Sequence, residues 1–187
     1  MDALVTAFVA AALAEWGDKT QLLVAALASR TGRPARILGA LFFAVVISNA
    51  FAAMAGVVVA GLVTIRAMTL LVAVSLLFAG VAGLIRRQPG LLEDSRLPLF
   101  LAAAILFLAA EFGDRSQFLT FALAGRFDSA PLAAAGAVAG IMTAAVPAAL
   151  LGQKLEQAVP VRSIRYAGSA LFLIVGFIVA MQALQLA

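Results

Sequence analysis

Apolar stretches long enough to cross a hydrocarbon core of about 30 Å recur six times, at roughly Ala3 to Ser29, Ile37 to Val63, Ala67 to Ile85, Leu97 to Ala124, Pro131 to Leu151 and Ile164 to Leu186. The links between them are short and combine turn formers with charge: Arg30-Thr31-Gly32-Arg33-Pro34, Arg86-Arg87-Gln88-Pro89-Gly90, and Gly152-Gln153-Lys154 through Pro160. With 65% apolar residues in a 187-residue chain, a water-soluble fold is excluded, since a chain of this length buries only about 70% of its unfolded surface. Lipid must be the missing solvent. Backbone groups in lipid have to satisfy one another, which leaves helices for segments of this length. The expectation is an all-α integral membrane protein, with six transmembrane helices forming a single transmembrane domain over 1–187. Met1-Asp2-Ala3-Leu4 lacks the basic segment of a signal peptide, so the first stretch is expected to remain as a helix.

Loops one, three and five hold Arg30, Arg33, Arg36, Arg86, Arg87, Arg96, Lys154, Arg162 and Arg165, whereas loops two and four hold Arg66 and Arg126. The positive-inside rule then places the odd loops in the cytoplasm and both termini outside. The net charge of +4 therefore describes loops rather than a nucleic-acid face. The chain contains no cysteine and no histidine, which removes disulfides and thiolate or imidazole metal sites. Proton or metal chemistry must fall to carboxylates.

The segment from Glu15 to Arg30 repeats as Glu111 to Arg126, with nine of sixteen positions identical. Its core reads Glu15-Trp16-Gly17-Asp18-Lys19-Thr20-Gln21 and then Glu111-Phe112-Gly113-Asp114-Arg115-Ser116-Gln117. A proline, Pro34 or Pro131, precedes the following stretch in each case. Repeat one covers about 1–88 and repeat two about 97–187. Three helices per repeat is an odd number, so the second repeat enters the membrane from the opposite side. Two inverted three-helix repeats would bring both motifs together near the midplane.

Four of the nine acidic residues, Glu15, Asp18, Glu111 and Asp114, fall within apolar stretches. Each costs about 2.5–3.5 kcal/mol there on insertion scales, and function is the usual reason for such a cost. A spacing of three residues puts Glu15 with Asp18, and Glu111 with Asp114, on one helical face. Two such faces meeting would offer up to eight carboxylate oxygens, supplemented by the hydroxyls of Thr20 and Ser116 and the amide oxygens of Gln21 and Gln117. Oxygen-only ligation suits Ca²⁺, Mn²⁺ or Mg²⁺. Lys19 and Arg115, one turn beyond each Glu, are placed to pair with it, and Gly17 and Gly113 permit a kink or close approach. Metal ion and proton would compete for the same oxygens, which is the physical basis of an antiporter. Trp16 and Phe112 read as packing or lipid contact beside the site. Ser48, Asn49 and Thr143 either bond between helices or line a cation path, and Gly136 with Gly140 reads as a packing face. Glu93, Asp94, Asp128 and Glu156 read as solvated loop charges.

The doubled Glu-x-Gly-Asp-(Lys/Arg)-(Thr/Ser) motif in a small chain with six apolar stretches resembles the family of transmembrane protein 165. Both copies match without departure, and the resemblance covers essentially the whole chain. It implies a membrane Ca²⁺/Mn²⁺ transporter acting as a cation/proton antiporter, with Glu15, Asp18, Glu111 and Asp114 coordinating the cation and Thr20 and Ser116 beside them. Eukaryotic members of that family serve the Golgi and chloroplast, and bacterial members export manganese. The Ala- and Arg-rich composition looks bacterial, which favours Mn²⁺ export across the plasma membrane, with protons as the coupling ion and no resident cofactor. A homo-oligomer is compatible with the sequence. Two other functions use similar residues: a passive divalent cation channel, which an inverted repeat disfavours, and an intramembrane aspartyl protease, in which paired Gly-Asp carboxylates would share a proton. Lys19 and Arg115 would hold such aspartates ionised, which argues against an enzyme.

Overall fold

A computed structural model of the protein describes residues 1–85 and 97–185. Arg86, Arg87, Glu93, Asp94 and Arg96 of the third loop lie outside the described residues, as does Leu186. All regular structure among the described residues is helical: α1 (Asp2–Glu15), α2 (Lys19–Thr31), α3 (Pro34–Ala60), α4 (Ile65–Leu84), α5 (Leu99–Glu111), α6 (Arg115–Phe127), α7 (Ala130–Leu151), a 3-10 turn (Gly152–Lys154), α8 (Leu155–Ala158) and α9 (Val161–Leu184). Four segments are long and apolar enough to cross a bilayer, Pro34–Ala60, Ile65–Leu84, Ala130–Ala158 and Val161–Leu184.

The first and fourth expected stretches are not continuous helices. Each is broken within the acidic motif, into α1 and α2 in one half and α5 and α6 in the other. The cause is local. Gly17 and Gly113 adopt φ of +74° and +71°, a left-handed conformation that ends a helix and that glycine enters without a Cβ penalty. The flanking dihedrals repeat as well: Trp16 has φ −66°, ψ 121° and Phe112 φ −65°, ψ 120°. Asp18 and Asp114 are both extended and both stand at the N-cap of the following half-helix. The internal repeat therefore extends from residue identity to backbone conformation. The half-helices end alike too, at left-handed Gly32 and Asp128, and prolines at the start of α3 and α7 begin the next helices.

The two halves interlock reciprocally. Helix α1 packs on α7 and α5 on α3, while α2 packs on α7 and α6 on α3, and α4 packs on α9. These pairings have counterparts with the halves exchanged, whereas the α4–α6 and α1–α9 contacts have none of comparable extent. Small residues set the separation. A Cβ built on Gly136 would collide with the Leu4 carbonyl, and one on Gly140 with the Phe8 carbonyl and the Ala12 amide, so α1 and α7 meet backbone to backbone as small-xxx-small pairs do. Gly56 and Gly125 bring α3 and α6 equally close. The interior is accordingly rich in alanine, with Phe107, Leu23, Leu41 and Ile141 filling the larger gaps. The outward faces carry Phe42, Phe43, Phe51, Met54, Ile174, Phe177 and Ile178, all exposed. That apolar exterior is stable only against lipid.

A leucine at Gly140 should separate α1 from α7 and cost at least the ~1–3 kcal/mol typical of overpacking. Alanine at Gly39, whose Cβ would sit 3.6 Å from the Phe100 ring in ordinary contact, should be tolerated. Thermal unfolding in detergent, followed by circular dichroism, should separate the two variants clearly.

Candidate metal centre

The two helix breaks face each other. Glu15 closes α1 and Asp18 starts α2, while Glu111 closes α5 and Asp114 starts α6. Glu15 and Asp18 therefore do not share a continuous helical face, as their spacing suggested. They converge because the chain turns between them at Gly17, and Glu111 and Asp114 are arranged likewise at Gly113. All four carboxylates are buried. One oxygen from each of Glu15, Asp18 and Asp114 lies within 4.8 Å of the others, so the cluster draws on both motifs. Glu111 stands beside it and accepts a hydrogen bond of 2.7 Å from the Thr20 hydroxyl of the other motif.

The cations pair across the repeats. Lys19 Nζ lies 2.8 Å from Asp114 Oδ1, and Arg115 Nη2 lies 3.1 Å from Asp18 Oδ1. Each therefore partners the opposite motif's aspartate rather than the glutamate one turn behind it. The reason is again the break, which moves each glutamate onto a separate helix. Arg115 also donates to the Ala14 carbonyl at the end of α1, one of the carbonyls that a helix terminus leaves open.

Gln21 and Gln117, expected as ligands, have a visible structural task. Gln21 Oε1 accepts from the Gly17 amide at 2.8 Å, and Gln117 Oε1 from the Gly113 amide at 2.8 Å. A backbone N–H exposed by a helix break inside a membrane needs such an internal partner. Their amide nitrogens reach neighbouring helices, Gln21 to the Ala144 carbonyl at 3.0 Å and Gln117 to Ser48 Oγ at 2.9 Å. Asn49 accepts from Thr120 at 2.8 Å, so Ser48 and Asn49 join α3 to α6. Thr143 bonds the Gly140 carbonyl of its own helix. Ser116 is fully buried beside Asp114, and its Oγ has no hydrogen-bond partner among the described residues. Trp16 packs against the core, but Phe112 is 77% exposed.

Several acceptors in the cluster carry lone pairs without a protein donor. Both oxygens of Glu15, Asp18 Oδ2 and Glu111 Oε2 have no hydrogen-bond partner among the described residues. Four carboxylates beside two cations leave a formal charge of −2, which one divalent ion would cancel. Sequence reasoning missed two buried polar residues of α9. Arg165 was counted with the fifth loop, yet it lies in the second turn of α9 and is 7% exposed, and Ser169 is buried one turn later. Removing Arg165 from the loop count leaves eight against two. The argument applied to acids within apolar stretches would have found Arg165, which follows Ile164 directly.

A family model described as "Divalent cation/proton antiporter GDT1" matches residues 3–90 and 99–187, nearly the whole chain. The chain belongs to that family. A Vibrio cholerae serotype O1 protein named "Putative manganese exporter" is 35% identical over 182 residues, covering 96% of this chain and 91% of that protein. No solved structure matches the chain. The protein is thus a multi-pass membrane transporter of divalent cations rather than an enzyme, and the protease alternative falls away. As a GDT1 family member it carries both copies of the acidic motif, one within each matched segment.

The two break glycines should differ in their tolerance of a side chain. Alanine at Gly113, with none of the described residues within 4 Å of the added Cβ, should cost only the left-handed penalty of about 1–2 kcal/mol. Alanine at Gly17 meets the Val161 carbonyl at 2.8 Å as well, so its melting temperature should fall further. Equal losses would show that α9 does not rest on the first break.

Proposed function

We propose that the protein is a proton-coupled exporter of Mn²⁺, with Ca²⁺ as the alternative cargo, that binds one ion between its two acidic motifs. The observation that carries this reading is the meeting of Glu15, Asp18 and Asp114 with their oxygens within 4.8 Å. Oxygens bound to one cation at about 2.3–2.6 Å lie no more than about 5 Å apart, so all three can reach the same ion. Glu111, beside the cluster and bonded by Thr20, would be the fourth carboxylate, while Thr20 and Ser116 would supply neutral oxygens. Gln21 and Gln117 hold the breaks open and are ligands only through a second lone pair. An all-oxygen donor set accounts for a hard cation, and the relative's name supports manganese.

In this reading the six spans comprise the four long helices and the two broken pairs, α1 with α2 and α5 with α6. The reciprocal packing of the halves is what an approximate two-fold axis in the membrane plane would produce, and it supports inverted repeats. Loops one, three and five face the cytoplasm and both termini face outside, in a bacterial plasma membrane. Binding the metal requires ionised carboxylates, so protons and metal displace one another. An acidic exterior then drives protons inward and the metal outward. The channel is the weaker reading, because broken helices meeting at a closed, buried cluster suit a carrier.

Replacing Asp18 or Asp114 by Asn keeps shape and removes charge. Either variant should insert normally and lose at least about 100-fold in divalent affinity, more than the outer-shell changes that cost 10–100-fold. Unchanged affinity in both would remove the proposed site. Apparent affinity of the native protein should weaken as pH falls, since protonation removes ligands. In proteoliposomes with an internal pH dye, Mn²⁺ flux should reverse when the imposed proton gradient is reversed. Flux that follows only the metal gradient and voltage would establish the channel instead.

A further inference from the structure

A cavity of about 360 Å³, with Val159 on its wall, runs from the surface at α8 and the start of α9 down to the first helix break. Its rim is formed by the exposed Glu156, Pro160, Arg162 and Tyr166, and its floor by the buried Gly17, Val161 and Arg165. The floor lies one residue from Asp18 and two from Glu15. Arg165 thus stands at the end of the cavity nearest the first motif, packed on Gly17.

We propose that Arg165 is a gate: a positively charged plug between this vestibule and the carboxylate cluster, which must move before a divalent cation can pass on the loop-five side. Three observations converge. First, α9 rests on the break, since a Cβ at Gly17 would lie 2.8 Å from the Val161 carbonyl and 3.0 Å from Arg165 Cβ. Second, Arg165 is 7% exposed and its Nε has no hydrogen-bond partner among the described residues. The guanidinium is held instead against the exposed Tyr166 side chain, over its ring 5.1 Å from the centroid and within hydrogen-bond reach of its hydroxyl. Third, the described residues give the second break no equivalent closure: none lies within 4 Å of a Cβ at Gly113, and the neighbouring Phe112 is 77% exposed.

The chemistry fits a gate for cations. A guanidinium stays charged at any physiological pH, so it repels a divalent ion standing in the vestibule for as long as it occupies the floor. The charge would be an obstacle in a permanently open pore. In a carrier that exposes its site to one side at a time, it opposes leakage while α9 is down. Movement of α9 away from Gly17 would withdraw Arg165 and open the vestibule to the cluster in one step. This inference rests on the transport reading of the cluster, yet it can be tested apart from it.

The chain has no native cysteine, so single cysteines report without background. Ser169 is buried one turn beyond Arg165, and its Oγ lies with Arg115 Nη1 beside Gly83, placing it behind the proposed gate near the Asp18–Arg115 pair. Reaction of Ser169→Cys with a small, membrane-impermeant cationic methanethiosulfonate should be slow with Arg165 present. It should accelerate about tenfold or more in Arg165→Ala, as expected when a locally closed state is destabilised. Val159→Cys in the vestibule should react rapidly in both backgrounds. Arg165→Lys should stay slow, and Tyr166→Leu, which removes only an exposed ring, should accelerate labelling and serves if Arg165→Ala does not fold. Equal rates with and without Arg165, or no acceleration in either Arg165→Ala or Tyr166→Leu, would overturn the proposal. Labelling is read without metal. A failed gate would thus leave Mn²⁺ binding by the carboxylates intact, and failed binding would leave the labelling result intact.

Discussion

A charge buried in an apolar helix bundle must find a partner, and here the partners come from the opposite half of the chain. Lys19 reaches Asp114 and Arg115 reaches Asp18. Losing one member of a buried pair costs about 3–5 kcal/mol because the other remains uncompensated. The crossed pairs therefore hold the two helix breaks face to face, and the rest of the architecture serves that meeting. Glycines at positive φ turn the chain so that each Glu and Asp look inward, glutamines satisfy the amides that the turns expose, and small residues in α1, α3, α6 and α7 let the helices approach closely enough to seal the cluster. Without the breaks the cations would pair within their own helix, and the motifs would have less reason to associate.

Pairing leaves two carboxylate charges over, and in the proposed function that remainder would link stability to transport. The excess negative charge is tolerable only while something compensates it, whether a divalent ion or protons. A cluster satisfied entirely by its own lysine and arginine would have no need of either. One fully ionised and empty would strain the fold. In the proposed function, the balance between four acids and two bases would let a divalent ion and protons compensate the cluster in turn.

Much of this was legible in the sequence, for physical reasons. Bilayer thickness fixes the length of an apolar stretch, so the long helices α3, α4, α7 and α9 follow from hydropathy alone. The cost of burying acids singled out Glu15, Asp18, Glu111 and Asp114, and the duplicated motif predicted that they meet. The breaks were less legible. Gly17 and Gly113 read as kinks, whereas the chain turns fully there, and hydropathy is blind to a three-residue interruption. The partner exchange of Lys19 and Arg115 follows from that turn and could not be read from i,i+4 spacing. Arg165 was overlooked because its neighbours in sequence belong to a charged loop, although its neighbours in space are Gly17 and Tyr166. Thr120 and Ser169 carry no spacing signal, since a single hydroxyl in an apolar helix often bonds its own backbone.

The central claim is that both motifs hold one ion jointly. Counting bound Mn²⁺ by equilibrium dialysis in the native protein and in Asp18→Asn, Asp114→Asn and the double variant tests it most directly. The account predicts one ion per chain in the native protein and none in any variant, each single change being as damaging as both together. Two ions per chain, with each single variant retaining one, would mean that each motif binds alone, and would contradict the account.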